Sequence, residues 1–246
     1  MRWHTRLSLR GNSIISYPRE IVSHSTFRGK KFTKIFMTIN WYGEGCFKIV
    51  ENNVTITTDP VESFTGLSAP RFKTDIIVRT IMDPLLPEDE KPVAANQDET
   101  IIIAGPGEYE IKGIHISGWP LMKSSGKDML RSIFRIKTDD LTVGLLGHLA
   151  EFNEPEILEE LGDIDILIIP GGGKPFIDQQ SASKLVRQIS PRILIPSFFK
   201  IPNLKRKSDD ATEFLKEVGL KAQSVDRLSI KKKDLGEKMQ AYQLTL

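Results

Sequence analysis

The chain has 246 residues, 39% of them hydrophobic and 27% charged, with a formal net charge of +2. That balance reads as an ordinary soluble globular protein, long enough for one large domain or two small ones with a buried core. The single cysteine, Cys46, excludes an internal disulfide and a cysteine-rich zinc site, and no apolar run approaches the ~18 residues needed to span a bilayer.

The charge is unevenly spread. Residues 1–36 hold eight Lys or Arg against one acid, Glu20, whereas the whole chain has 34 bases and 32 acids. The basic character therefore belongs to this leader, and the body shows no sign of a general nucleic-acid surface. Three readings of the leader stay open: an organelle transit peptide, a basic arm for nucleic acid or membrane, or an extension ahead of a true start at Met37. The third is favoured, because an alternating strand pattern begins directly at Met37.

From there the chain reads as strands first. "TINWYGEGCFKIVENNVTITTDP" alternates on both sides of Glu51-Asn52-Asn53, which predicts a hairpin. Gly43 and Gly45 suggest a bulge or a close backbone approach. "TDIIVRTI" has the β-branched, apolar character of a buried strand. The polar stretch Leu86 to Glu99 reads as a surface loop. "DETIIIAGPGEYEIKGIHISGWP" reads as two strands around Gly105-Pro106-Gly107, and "SIFRIKTDDLTVGLLG" as a hairpin turning at Asp139-Asp140.

The period then changes. "EPEILEELG" predicts a short helix stopped by Gly162. "DIDILIIPGGG" is a buried strand ending in glycines. "DQQSASKLVRQISP" predicts a helix, with Ala182, Leu185, Val186 and Ile189 at helical spacing and Pro191 beyond its end. "RILIPSFF" is another buried strand. "SDDATEFLKEVG" predicts a helix capped by Ser208 or Asp209 and stopped by Gly219. "SVDRLSIKK" and "KMQAYQLTL" close the chain with strands. Strands dominate the first half and strand–helix–strand units the second, an order satisfied by two sheets with helices packed outside.

The order and spacing of "INWYGEGCFKI", "ITTDP", "TDIIVRTIMDP", "GPGEYEIKGIHISG", "VGLLGHLAE", "DIDILIIPGGG", "ASKLVRQISPRILIPSFF" and "LSIKKKDLGEKMQAYQL" resemble the metallo-β-lactamase fold. The likeness is to its bacterial branch of small Zn-dependent hydrolases, akin to ascorbate-6-phosphate lactonases, and covers Met37 to Leu246. It implies an α/β, four-layer αββα sandwich over residues 37–246. It also implies a metal site made by a His-x-His-x-Asp-His loop, a later His, a bridging Asp and a final His. On this chain the loop positions fall on Ile81, Asp83, Leu85 and Leu86. The later His falls on Leu145, the Asp of the usual Gly-Asp pair on His148, and the final His on Phe198. Asp59 in "TTDP" matches, in what is usually a supporting role.

Zinc takes nitrogen, sulfur or carboxylate ligands, usually three or four of them. Leucine, isoleucine and phenylalanine offer none, and the body has only two histidines, His115 and His148. If metal binds, the candidates are Asp59, Asp83 and His148. Glu108 in "GPGEYE" could serve as an acid or base, although a hairpin tip explains that stretch. Lys174 in "PGGGKPFID" could contact phosphate, although the G-x-x-x-x-G-K-[ST] pattern is absent and Pro175 follows. Cys46 reads as a small buried hydrophobe, and Ser197 has no evident base.

These residues give an expectation of a non-catalytic binding or assembly protein with no catalytic residues and no cofactor. Two alternatives stay beside it. One is a metal-dependent hydrolase with an atypical site, which would use zinc. The other is a nucleic-acid-associated protein acting through the basic arm. A cytoplasmic location, no membrane partner and a possible homo-oligomer complete the expectation.

Overall fold

The computed structural model describes residues 36–82, 100–126 and 128–246. The leader up to residue 35, and with it the basic-arm reading, lies outside the described residues, as do Asp83, Leu85 and Leu86.

Alternation builds the first strands. β1 (Met37–Trp41) and β2 (Phe47–Glu51) each bury every second residue, as strands with one face on a core must. β2 turns into β3 (Val54–Thr58) through Asn52 and Asn53, whose φ angles of 50° and 64° are the left-handed pair of a two-residue hairpin turn. β4 (Ile76–Val78) then pairs parallel to β3, and β6 (Ile101–Ile103) parallel to β4. β5 (Ile81–Met82) is a two-residue strand that pairs with β9 (Leu130–Lys137) of the other sheet.

The chain next changes sheets. β7 (Gly107–Ile111) and β8 (Ile114–Pro120) form a hairpin whose tight turn is Lys112–Gly113, at φ 51° and 79°. The two strands expected around Gly105-Pro106-Gly107 are therefore three, in two sheets. A lysine in the left-handed region gives a weak turn signal, whereas the glycines at 105 and 107 mark the crossing between sheets. β9 turns into β10 (Thr142–Leu145) at Asp139-Asp140, as expected.

α1 (Pro155–Leu161) follows, and then β11 (Ile166–Pro170), α2 (Gln179–Ile189) and β12 (Ile193–Ser197). β10, β11 and β12 are parallel neighbours, and β11 and β12 bury every residue, as strands covered on both faces do. Asp178 caps α2 by accepting a hydrogen bond from the Ser181 N–H at 2.9 Å.

α3 (Thr212–Val218) starts later than expected, with Asp210 Oδ1 accepting from the Thr212 N–H at 2.7 Å. Asp209 is held elsewhere, its backbone bonded to Gly172 and Lys200. The "SVDRLSIKK" stretch is also two strands: β13 (Ala222–Val225) joins the second sheet and β14 (Arg227–Ile230) the first. β15 (Gln240–Leu244) pairs parallel to both β12 and β13.

The result is a six-stranded sheet, in the order β14-β1-β2-β3-β4-β6, and a nine-stranded one along β13-β15-β12-β11-β10-β9-β8-β7, with β5 as its ninth strand, paired to β9 off this path. One core joins the inner faces, among them Ile39, Ile49 and Ile76 from the first sheet and Phe134, Val143 and Ile168 from the second. The helices pack on the second sheet: Arg135 of β9 donates to the Glu160 and Leu161 carbonyls of α1, and α2 packs on α3. This is the mixed α/β sandwich that the resemblance implied. No helix among the described residues is long and apolar enough to cross a membrane.

Candidate functional site

Both sheets deliver the ends of parallel strands to one place, where ligands of open α/β sheets commonly bind. Asp59 follows β3, Thr80 follows β4, His148 follows β10 and Phe198 follows β12. A cleft of about 530 Å³ opens there, lined among others by Asp59, Ile81, His148, Phe176, Phe198 and Arg206.

Asp59 is buried and tied to β4 by its own N–H, which donates to the Val78 carbonyl at 2.9 Å. Its carboxylate takes two hydrogen bonds from Thr80: the backbone N–H donates to Oδ1 and the hydroxyl to Oδ2, each at 2.7 Å. The Thr80 hydroxyl in turn lies 2.8 Å from His148 Nδ1 and accepts from the His148 backbone N–H at 3.0 Å. His148 Nδ1 and Asp59 Oδ2 are 3.6 Å apart, so Thr80 carries the connection between them. Burial pushes the Asp59 carboxyl above its ordinary range, against the opposing pull of His148 and the two Thr80 bonds.

The walls are aromatic and cationic. The His148 ring meets Phe198 edge-on at 4.8 Å and Phe176 at 5.8 Å between centroids. Arg206 grips Glu44 through two 3.1 Å hydrogen bonds, donates to the Phe198 carbonyl at 2.9 Å and lies over the Phe176 ring. Glu44, Asp59 and Phe198 all line this cleft and all take positive φ, at 52°, 33° and 52°. Such backbone costs about 1–3 kcal/mol at each residue and gathers at functional sites. Gly45 allows the close approach foreseen for it: a Cβ there would sit 2.6 Å from the Phe198 ring and 2.9 Å from Asp59 Oδ2.

The candidates fare unequally. Asp59 and His148, 89 positions apart, meet in the cleft. Asp83 lies outside the described residues. Glu108 accepts from the Ser117 hydroxyl at 2.8 Å on the β7–β8 hairpin, and Lys174 borders a separate surface hollow with Asp178 and Lys207; neither lines the cleft. Ile81 and Phe198 line it, Phe198 being largely buried, while Leu145 is buried in the core. Thr80, Phe176 and the Glu44–Arg206 pair were not foreseen. Nothing local marks Thr80, whose importance comes from partners 21 and 68 positions away. Cys46 is buried, which pushes its thiol up to about 12, away from the thiolate a nucleophile needs.

As a metal site the described residues set the Asp59 carboxylate beside the His148 imidazole, while the Glu44 and Glu62 carboxylates that also line the cleft are paired with Arg206 and Arg79. A catalytic zinc takes three protein ligands, and no group of three or more His, Cys, Asp or Glu side chains among the described residues could hold a metal. Both Asp59 oxygens and His148 Nδ1 are moreover already engaged with Thr80. The described donor set does not by itself fit a metal.

A mixed two-sheet sandwich with a cleft at its parallel strand ends defines a protein of metallo-β-lactamase type. The model of the beta-lactamase superfamily domain matches residues 38–197, and the chain belongs to that superfamily. It is 34% identical over 125 residues to a UPF0173 metal-dependent hydrolase of Pyrococcus horikoshii, covering 48% of this chain and 54% of the relative. It is 23% identical over 197 residues to a UPF0173 protein of Pyrococcus furiosus, covering 74% and 90%. The chain spans about half the length of the metal-dependent hydrolases it matches.

Among solved structures, a Thermotoga maritima protein of the metallo-beta-lactamase superfamily superposes with a TM-score of 0.67 at 22% identity, over 85% of this chain and 98% of the other. A metallo hydrolase from the archaeon Ignicoccus hospitalis superposes with a TM-score of 0.57 at 17% identity, over 80% and 99%.

These likenesses correct two expectations. A non-catalytic binding or assembly protein is overturned, because the relatives are named metal-dependent hydrolases. The expectation of no cofactor falls on the same ground, since those names imply a metal. The curated relatives are archaeal and so lend no support to the bacterial origin expected.

Proposed function

We propose that the chain is a metal-dependent hydrolase of the superfamily with an atypical site, in which His148 moves the proton. The observation that carries this reading is the Asp59–Thr80–His148 network at the parallel strand ends, inside a cleft large enough for a small molecule. Metal dependence is taken over from the relatives' names. The described donors do not by themselves complete a metal site.

With Nδ1 held by Thr80, Nε2 is the ring nitrogen that has no partner among the described residues. It accepts a proton from water as the water oxygen attacks the electrophilic centre of the substrate. The bond to the leaving group then breaks, and Nε2–H returns that proton to the leaving group. Phe64, Phe176, Ile81 and Leu204 give the cleft apolar walls, which suit an apolar substrate body. A cytoplasmic location belongs to this reading, supported by the single, buried Cys46.

The test is metal content together with hydrolysis. The full chain is loaded with zinc, manganese or iron, dialysed and assayed by plasma mass spectrometry, then screened on ester, amide, lactone and phosphoester substrates with and without chelator. The expected result is about one or more retained equivalents per chain, as in other catalytic metal sites, and chelator-sensitive turnover lost in His148→Ala. No retained metal and no turnover on any class would sink the reading.

A further inference from the structure

With Asp59 ionised, the hydrogen bonds around Thr80 decide whether His148 Nδ1 gives or receives a proton. A threonine hydroxyl has one proton to give and two lone pairs to receive with. Its proton goes to Asp59 Oδ2 at 2.7 Å, a distance typical of O–H donation to a carboxylate. One lone pair is taken by the His148 backbone N–H at 3.0 Å. The contact of 2.8 Å to His148 Nδ1 must then be made by the second lone pair, so Nδ1 is the donor. Gly147 makes this arrangement possible, because a Cβ there would lie 2.0 Å from the Thr80 hydroxyl.

We propose that Thr80 is a positioning residue that holds the uncharged form of His148 in its Nδ1–H tautomer whenever that form is present, leaving the Nε2 lone pair to the cleft. The proposal rests on the hydrolase reading for its use of Nε2, but the tautomer itself is a property of the resting protein. Asp59 sets the direction of the chain. An asparagine there has an N–H in place of Oδ2, so it would donate to the Thr80 hydroxyl. The Thr80 proton would then turn to Nδ1, and the ring proton would move to Nε2. A side chain two hydrogen bonds away thus decides which nitrogen of His148 is basic.

The test is nuclear magnetic resonance of the full chain carrying ¹⁵N-labelled histidine, at about pH 8, above the ordinary imidazole range. Protonated and unprotonated ring nitrogens resonate far apart, and His148→Gln identifies the signals of His148. The wild type is expected to show a protonated Nδ1 and a bare Nε2. Asp59→Asn is expected to invert the two assignments, Thr80→Val to give a mixture, and Thr80→Ser, which keeps the hydroxyl, to retain the wild-type pattern. A protonated Nε2 in the wild type overturns the proposal, as does an unchanged pattern in both Asp59→Asn and Thr80→Val. The wild-type spectrum decides even if a variant fails to fold. An absence of hydrolysis beside a protonated Nδ1 would fault the proposed function and leave the tautomer standing; turnover beside a protonated Nε2 would do the reverse.

Discussion

Gly147 stands against Thr80 so closely that a methyl group on its Cα would lie 2.0 Å from the Thr80 hydroxyl oxygen and 2.4 Å from its Cβ. The glycine also takes φ 21°, so a side chain would be strained as well as crowded. Gly147→Ala must push Thr80 away from Asp59 and His148. Overpacking of this kind costs about 1–3 kcal/mol, and the freed Asp59 oxygen adds the penalty of a buried acceptor. The expected outcome in urea denaturation is a lower midpoint with an unchanged slope, accompanied by loss of the His148 tautomer preference.

Glu51 makes stability depend on pH. The residue is buried and its Oε2 has no hydrogen-bond partner among the described residues. Burial pushes its carboxyl above the ordinary range, helped by Asp140 and Asp139 and opposed by Thr138. A raised carboxyl binds its proton more tightly in the folded than in the unfolded chain. Its contribution is therefore fully present below the unfolded value and is lost as pH rises through the folded one. Glu51→Gln should remove that loss, raising stability at neutral pH by about 1 kcal/mol and leaving it unchanged in strong acid. Denaturation curves across mildly acidic to neutral pH would show it, and parallel curves for the two proteins would count against it.

Arg206 holds the cleft wall through Glu44, the Phe198 carbonyl and the Phe176 ring. Arg206→Ala leaves the half-buried Glu44 carboxylate without its cation, and breaking such a pair costs about 3 kcal/mol, at the low end for buried pairs. Arg206→Lys should recover only a small part, since a single ammonium cannot reproduce the two-pronged grip on Glu44. Thermal melts of the three proteins would rank them; full rescue by lysine would show that charge alone matters.

Much of the fold is legible in the sequence because local pattern dictates it. Asn52-Asn53 announces its own turn, and the unbroken apolar runs of β11 and β12 announce strands covered on both faces. The misreadings fall where tertiary pairing overrides local signals. Asp226 separates two strands that belong to opposite sheets, and Lys112 takes a turn conformation that its chemistry does not advertise. The site is legible only in part. Asp59 and His148 stand out as polar residues inside apolar segments, whereas Thr80 looks like any strand-end threonine until Gly147 brings it between them.

The pairing of β1 with β14, in register from Met37 opposite Ile230 to Asn40 opposite Arg227, has a consequence for how the chain is made. The first described strand to leave the ribosome cannot gain its outer neighbour until almost two hundred further residues have been synthesised. Until then β1 presents an open hydrogen-bonding edge, the kind of edge on which nascent chains associate wrongly. Such long-range closure also slows folding, because the ends of a long loop must meet before the contact stabilises anything. The strand that completes the first sheet is therefore also what ends its exposure, and truncation before Arg227 should yield aggregates, not a smaller soluble domain.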